Sequence, residues 1–458
     1  MIDSRPAAIP PRPVGDQAEV VDLLARLIRA DTGNPPGDVR PAAAVLAEYF
    51  AAHGVEATLL GETPEHVNCV ARLPGSGGGR SLLLLGHLDV VPADGDGWTE
   101  PPFSGRVRDG YVWGRGAVDM KHQLAAQAVA FVRLARRAAA GAPLRGDLVF
   151  AATADEETGV HCGARWLLEQ HPELVRADFT LNEGGWSMPH ALGGPLYVLH
   201  TGEKGYANTT IRVTGRAAHG SMPLHLGNAV SGLAEVLVAL DAYEPEVGEA
   251  SIPEELIDLT VADAAVRERL KDPSTAQRAV RELAAADAGL AAIIEPLLGL
   301  TFVATVVRTQ GDAVNVIPPA AEVRVDCRIL PGQTEEDVRR ELGRALAGVD
   351  AEWSLLTCDI VSGNRSAPAG ALRDAIVATL SEVVPGSRVV GELGSWFTDS
   401  AHVRRVIPGA LAYGFCPFVR EDFRDVAPRL HGVDERIAVD DLLLQAEFFE
   451  RLAARVTA

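Results

Sequence analysis

The stretch Ser81-Leu82-Leu83-Leu84-Leu85-Gly86-His87-Leu88-Asp89-Val90 decides the reading of the fold. Its apolar run is too short to cross a membrane and is stopped by Gly86, which describes a fully buried strand. A buried strand is a rigid mount, and the exits of such strands are where an open α/β sheet presents its chemistry. His87 and Asp89 stand at this exit. His87 is therefore a candidate metal ligand, and the remainder of the chain has to supply its companions.

Working outward, the same grammar recurs. Strand-like runs at 55–60 and 67–73 precede the stretch, and another at 148–152 runs into Thr153-Ala154-Asp155-Glu156-Glu157-Thr158-Gly159. A short run at 178–181 exits into Asn182-Glu183-Gly184-Gly185. Helices are predicted at 17–30 with Asp16 as N-cap, at 41–54, from Lys121 to about 140, and at 160–170. Strands alternating with helices, each strand end carrying a polar cluster, describe an α/β sheet with helices on both faces.

The pattern changes after about His200. Residues 206–214 alternate with period two, as a half-exposed antiparallel strand does. A helix at 228–240, strands at 302–309 and 321–329, a helix at 334–347 and a strand at 352–360 then give a βαββαβ order. From Pro368 the α/β pattern resumes and ends in a helix at 440–456. The expected architecture is a larger α/β domain, residues 1–200 and 363–458, with a mostly parallel sheet flanked by helices. A smaller ferredoxin-like domain, 201–362, is inserted into it and carries a charged, Ala-rich helical insertion at about 253–299.

With 458 residues the chain exceeds one ordinary core, in keeping with two domains. A formal net charge of -20 argues against a nucleic-acid surface. The five cysteines are scattered without a Cys-x-x-Cys pair, which excludes a disulfide frame and a thiolate zinc site and points to a reducing, cytoplasmic compartment. Residues 1–15, with Pro6, Pro10, Pro11 and Pro13 and no apolar core, read as a loose arm rather than a secretory signal. No run approaches spanning length, so a soluble protein without a membrane partner is expected.

The polar groups at the expected strand ends are His87 and Asp89, Asp119, Glu156 with Glu157, and Glu183. So many carboxylates at one sheet edge repel unless cations neutralise them. Imidazole and carboxylate donors without thiolate suit Zn²⁺, Co²⁺ or Mn²⁺. Two ions need a bridging carboxylate and outer ligands, and this inventory is large enough to supply them.

Several motifs in order carry a family resemblance. Gly86 to Pro92, Trp98 with Pro101 to Gly105, Trp113-Gly114-Arg115-Gly116-Ala117-Val118-Asp119-Met120-Lys121 and Asp155-Glu156-Glu157 resemble the M20 metallopeptidase family. That family includes aminoacylase-1, the carboxypeptidase S type, acetylornithine deacetylase and succinyl-diaminopimelate desuccinylase. The resemblance implies two Zn²⁺ per chain. His87 and Glu183 are the implied outer ligands of one and Glu157 and His431 of the other, with Asp119 bridging. It implies Glu156 as general base and Asp89 as the group accepting from the His87 imidazole. His431 lies in Leu430-His431-Gly432-Val433-Asp434-Glu435-Arg436, similar to the family's late histidine motif. His219, in Ala217-Ala218-His219-Gly220-Ser221, is the implied donor to the developing oxyanion, reaching the neighbouring subunit's site in a homodimer.

Arg328 and Asn315 resemble positions that hold the substrate's carboxylate. Gly394-Ser395-Trp396-Phe397-Thr398-Asp399-Ser400 is similar to the family's substrate loop, with Thr398 as its hydroxyl and with Trp396 and Phe397 departing from the pattern. The expected activity is hydrolysis of an N-acyl amino acid or of a short peptide with a free carboxylate. The alternative is a biosynthetic deacylase of the desuccinylase or acetylornithine type, ranked second because a polyanionic substrate calls for more basic residues than Arg328. A non-catalytic binding protein would have lost a ligand or the base, and every position is filled. No Gly-x-Ser-x-Gly elbow supports a nucleophilic serine.

Overall fold

A computed structural model describes residues 14–159, 162–191, 193–222, 227–247 and 252–458. Most of the expected N-terminal arm (1–13) and the expected start of a helix at Val160 lie outside the described residues.

The Leu run forms the strand Leu82–His87, buried at every position. Its alternate side chains serve two cores. Leu82 and Leu84 join the helices Val14–Arg29, Lys121–Ala139, Ala371–Val383 and Val439–Val456 on one face. Leu83 and Leu85 pack with Ala164, Leu167 and Leu168 of Ala164–Gln170 and Val403 of Ser400–Val406 on the other. The strand is apolar up to His87 because neither face meets water.

The large sheet runs in the order Ala57–Gly61, Val67–Leu73, Leu148–Thr153, Leu82–His87, Phe179–Asn182, Leu411–Gly414, Leu196–Glu203, Asn364–Arg365. Its centre, from Leu148–Thr153 to Leu411–Gly414, is parallel, and antiparallel strands flank it on both sides. Arg388–Gly394 and Trp186–Met188 also pair with Leu196–Glu203.

The strand Leu196–Glu203 continues past residue 200, and Gly205–Thr214 opens a second, antiparallel sheet. Its order is Thr301–Thr309, Ala320–Ile329, Gly205–Thr214, Trp353–Val361. Ala207, Ile211 and Val213 face a core shared with Ala229–Asp241 and Glu335–Ala345, which is the ferredoxin-like arrangement. Tyr206 and Asn208 alternate onto the opposite face, toward the large sheet's strand ends.

The helical insertion consists of Glu254–Thr260, Ala264–Lys271, Ala276–Ala286 and Ala288–Ile294. It belongs to the second sheet in sequence but not in packing. Leu256, Leu283, Leu290 and Ile294 bury against Trp186, Met188, Val198 and Val390 of the large sheet. Helical periodicity marks an apolar face without saying which surface covers it.

Candidate active site

Three adjacent parallel strands build the floor. His87 ends the middle strand, Glu156 and Glu157 follow its neighbour Leu148–Thr153, and Glu183 follows its other neighbour Phe179–Asn182. Register alone thus sets His87 between the acidic groups. Asp119, expected at a strand end, stands instead just ahead of the helix Lys121–Ala139, and its backbone N–H donates to Glu435 Oε1 at 3.0 Å. His431 arrives from the far end of the chain on a turn with φ 58°.

The donor atoms form two groups that share one residue. His87, Asp119 and Glu183 converge, as do Asp119, Glu157 and His431. His87 Nε2 lies 3.1 Å from Asp119 Oδ1 and 3.4 Å from Glu183 Oε2. His431 Nε2 lies 3.1 Å from Asp119 Oδ2 and 3.3 Å from Glu157 Oε2. Mixed imidazole and carboxylate donors in two sets with one common carboxylate fit a pair of divalent cations.

The electrostatics agree with that fit. Hydrogen bonds to Asp119 and Glu157 push His431 up to about 10. Burial opposes charge on His87, but the carboxylates of Glu183, Asp119 and Asp89 hold its imidazole well above the usual range. Burial, then the charges of Asp119 and Glu157, pushes Glu183 up to about 7 against the opposing pull of His87. Protons are drawn onto both imidazoles where cations would otherwise balance the carboxylates. Burial, followed by the charge of Glu183, also pushes Glu156 well above the ordinary carboxylate range.

Asp89 meets more than the His87 ring. The His87 Nδ1 bond runs to the backbone oxygen of Asp89 at 2.9 Å, while the nearest carboxylate oxygen is 3.5 Å away. The fully buried carboxylate of Asp89 accepts instead from Glu156 N at 3.2 Å, Glu157 N at 3.1 Å and Asn34 Nδ2 at 2.9 Å. It thereby fixes the Glu156–Glu157 turn, which Asp155 enters with φ 67°. One residue positions both the histidine and the acidic pair.

Sequence reasoning gave no role to three buried groups. Asn34 comes from Asp31-Thr32-Gly33-Asn34-Pro35-Pro36-Gly37, a loop whose residues by themselves indicate only turns. Glu435 is fully buried and accepts from Val118 N at 2.7 Å and from Arg115 at 2.7 Å, and Arg115 also donates to the His431 carbonyl at 3.2 Å. This pair ties the Asp119 and His431 turns together. The only signal for it was its place inside two quoted motifs.

A cavity of about 690 Å³ opens beside the cluster and is lined by Asp119, Glu156, Glu157, Glu183 and His431. Arg328 and Thr398 also line it. Arg328 is directly opposed to Tyr206 across the small sheet and forks onto Asp326 at 2.8 and 3.1 Å. Thr398 gives its hydroxyl proton to the buried carboxylate of Glu203 at 2.5 Å, so that proton is not free for a substrate. Arg165 and Arg405, which the sequence did not nominate, lie at the cavity too. Arg165 is bound to Glu169 at 2.9 Å. His219 and Asn315 do not line the cavity: they sit together on a small ribbon, with Gly220 N donating to the Asn315 carbonyl at 2.8 Å. The exposed His219 ring bonds Ser221 Oγ at 2.8 Å.

The described cysteines are all unpaired, and no helix among the described residues is long and apolar enough to cross a membrane.

Comparison with known proteins places this geometry. The family model of peptidase family M20/M25/M40 matches residues 83–455. Succinyl-diaminopimelate desuccinylase of Paracoccus denitrificans is 27% identical over 451 residues, 97% of this chain and 100% of the relative. The N-fatty-acyl-amino acid synthase/hydrolase of Xenopus tropicalis is 27% identical over 392 residues, 81% of this chain and 71% of the relative. The fold is shared with the M20 family metallo-carboxypeptidase of Sulfolobus solfataricus, with a TM-score of 0.68, 18% identity, and coverage of 96% of this chain and 99% of that one. The chain belongs to peptidase family M20/M25/M40 and is a hydrolytic enzyme acting on amide bonds.

Proposed function

We propose that the chain is a dinuclear zinc hydrolase that cleaves the amide of an N-acyl amino acid or of a short peptide with a free carboxylate. The observation that supports it most is Asp119, whose two oxygens face His87 and His431 at 3.1 Å each. In this reading His87 and Glu183 hold one ion, Glu157 and His431 hold the other, and Asp119 serves both. Zn²⁺ suits these donors, and Co²⁺ or Mn²⁺ can replace it. Bound there, such ions would supply Lewis acidity toward the substrate carbonyl and would lower the pKa of a water toward neutrality.

The protein's own groups handle the rest. Glu156, adjacent to the donor set and lining the cavity, takes the proton from the attacking water and returns it to the departing nitrogen. Asp89 holds Glu156 and Glu157 in place through their backbone N–H groups. Arg328 offers its guanidinium to the substrate carboxylate in competition with Asp326. His219, with Asn315 beside it, lies off the cavity of its own chain, which favours action on the partner subunit's site in a homodimer. The four-stranded unit is then both lid and dimerisation domain. Free cysteines favour a cytoplasmic setting.

A second reading, a desuccinylase-type deacylase, draws support from Arg405 and Arg165 at the same cavity and from the full-length match to such a relative. A hydrolysis screen over N-acetyl, N-succinyl, long-chain N-acyl and dipeptide substrates with added zinc separates the two. Chelator-treated protein is expected to be inactive and to recover with Zn²⁺ or Co²⁺, and an active apo-protein contradicts the proposal.

A further inference from the structure

We propose that the cavity beside the carboxylate cluster holds an aromatic acyl group, so that the preferred substrates are arylacyl amides; this rests on the amide-hydrolase reading above. The cavity's volume, about 690 Å³, far exceeds what an acetyl group fills, and Trp186, Tyr206, Trp396, Phe397, Phe418 and Phe423 are among its lining residues. Trp186 lies three residues beyond Glu183 and lines the same space. Its ring stands 5.8 Å from Phe423 with a tilt of 30°, and Phe423 stands 6.5 Å from Trp396 with the same tilt. Phe418 adds a fourth ring, 5.8 Å from the buried His122. Trp186, Phe423 and Trp396 form one continuous aromatic wall, and Phe418 lines the same cavity.

The wall is held from behind. Trp186 Nε1 donates to the buried carboxyl group of Glu392 at 3.0 Å, which fixes the indole plane. The helical insertion packs against Trp186 and Phe423, and Asp287 of that insertion pairs with Arg424 at 3.1 Å. A pre-organised wall loses little entropy when a ligand enters. Flat ligands gain offset and edge-on ring contacts there that a linear alkyl chain of equal area does not make. Arg328 and Tyr206, from the small sheet, border the same cavity from another element and leave this wall to the acyl side.

The test uses the zinc-loaded full chain and four amides of one amino acid: N-acetyl, N-octanoyl, N-succinyl and N-phenylacetyl. The phenylacetyl amide is expected to show kcat/KM about tenfold above each of the others. An equal or higher value for acetyl, octanoyl or succinyl overturns the aromatic assignment while leaving amide hydrolysis standing. Hydrolysis of none of these amides or of dipeptides sinks the parent reading itself. Phe423→Leu and, independently, Trp396→Leu keep an apolar side chain but remove a ring, and either is expected to lower the phenylacetyl-to-octanoyl ratio several-fold. An unchanged ratio in both variants, with melting curves showing folded protein, counts against the proposal.

Discussion

Asp119 and His431 stand 312 positions apart in the chain, yet His431 Nε2 lies 3.1 Å from Asp119 Oδ2. The other oxygen of the same carboxylate faces His87 at 3.1 Å. A group common to two donor sets is a single point of failure for both. Asp119→Ala is therefore expected to lower bound metal from about two ions per chain to below one and to abolish turnover. Elemental analysis of the purified variant checks this, and two retained ions would exclude a shared role.

The Asp89 carboxylate presents acceptors to Glu156 N and Glu157 N and stands 3.5 Å from the His87 ring. Asp89→Asn keeps the size and the backbone carbonyl that meets His87, but it weakens the hold on the acidic turn. The expected result is a loss of about 10- to 100-fold in kcat with metal content retained. A variant that loses metal before it loses kcat places Asp89 behind His87 instead.

The sequence made the strand exits legible because burial on both faces leaves an unbroken apolar run, and a polar residue closing it stands out. His87, Glu157 and Glu183 follow from three such runs, and the fold sets those strands side by side. Asp119 is different: it precedes a helix, and no strand signal could place it. Asn34 acts through a bond spanning 55 positions, Arg115 and Glu435 through one spanning 320, and spacing carries no trace of those. The helical insertion shows an apolar face in sequence, but only packing reveals that Trp186 and Val198 cover it.

Glu392 gives a stability prediction away from the cluster. Burial pushes its carboxyl up to about 8, with the Trp186 N–H opposing the shift. The folded chain keeps the proton while the unfolded chain releases it from about pH 4.5 upward, so stability falls as pH rises from about 4.5 to 8. Glu392→Gln retains an acceptor for Trp186 and removes that slope. At pH 7 the variant is expected to be more stable by on the order of 3 kcal/mol, and at pH 4.5 nearly equal to the parent. Denaturant titrations at both pH values check it; equal gains at both would point to packing.

His219 tests the assembly. His219→Ala and Glu156→Ala chains, each inactive alone, are expected to regain activity when mixed under conditions where subunits exchange, because a mixed dimer restores one complete site. Absence of recovery despite demonstrated exchange would confine His219 to its own chain.

In the proposed mechanism Glu156 moves the proton for a reaction whose cations are held by other residues. Its most direct test measures turnover and bound metal in one preparation of Glu156→Gln. About two ions per chain, as in the parent, are expected, with kcat reduced by at least about 100-fold. Turnover close to that of the parent, or loss of the metal together with the activity, would contradict it.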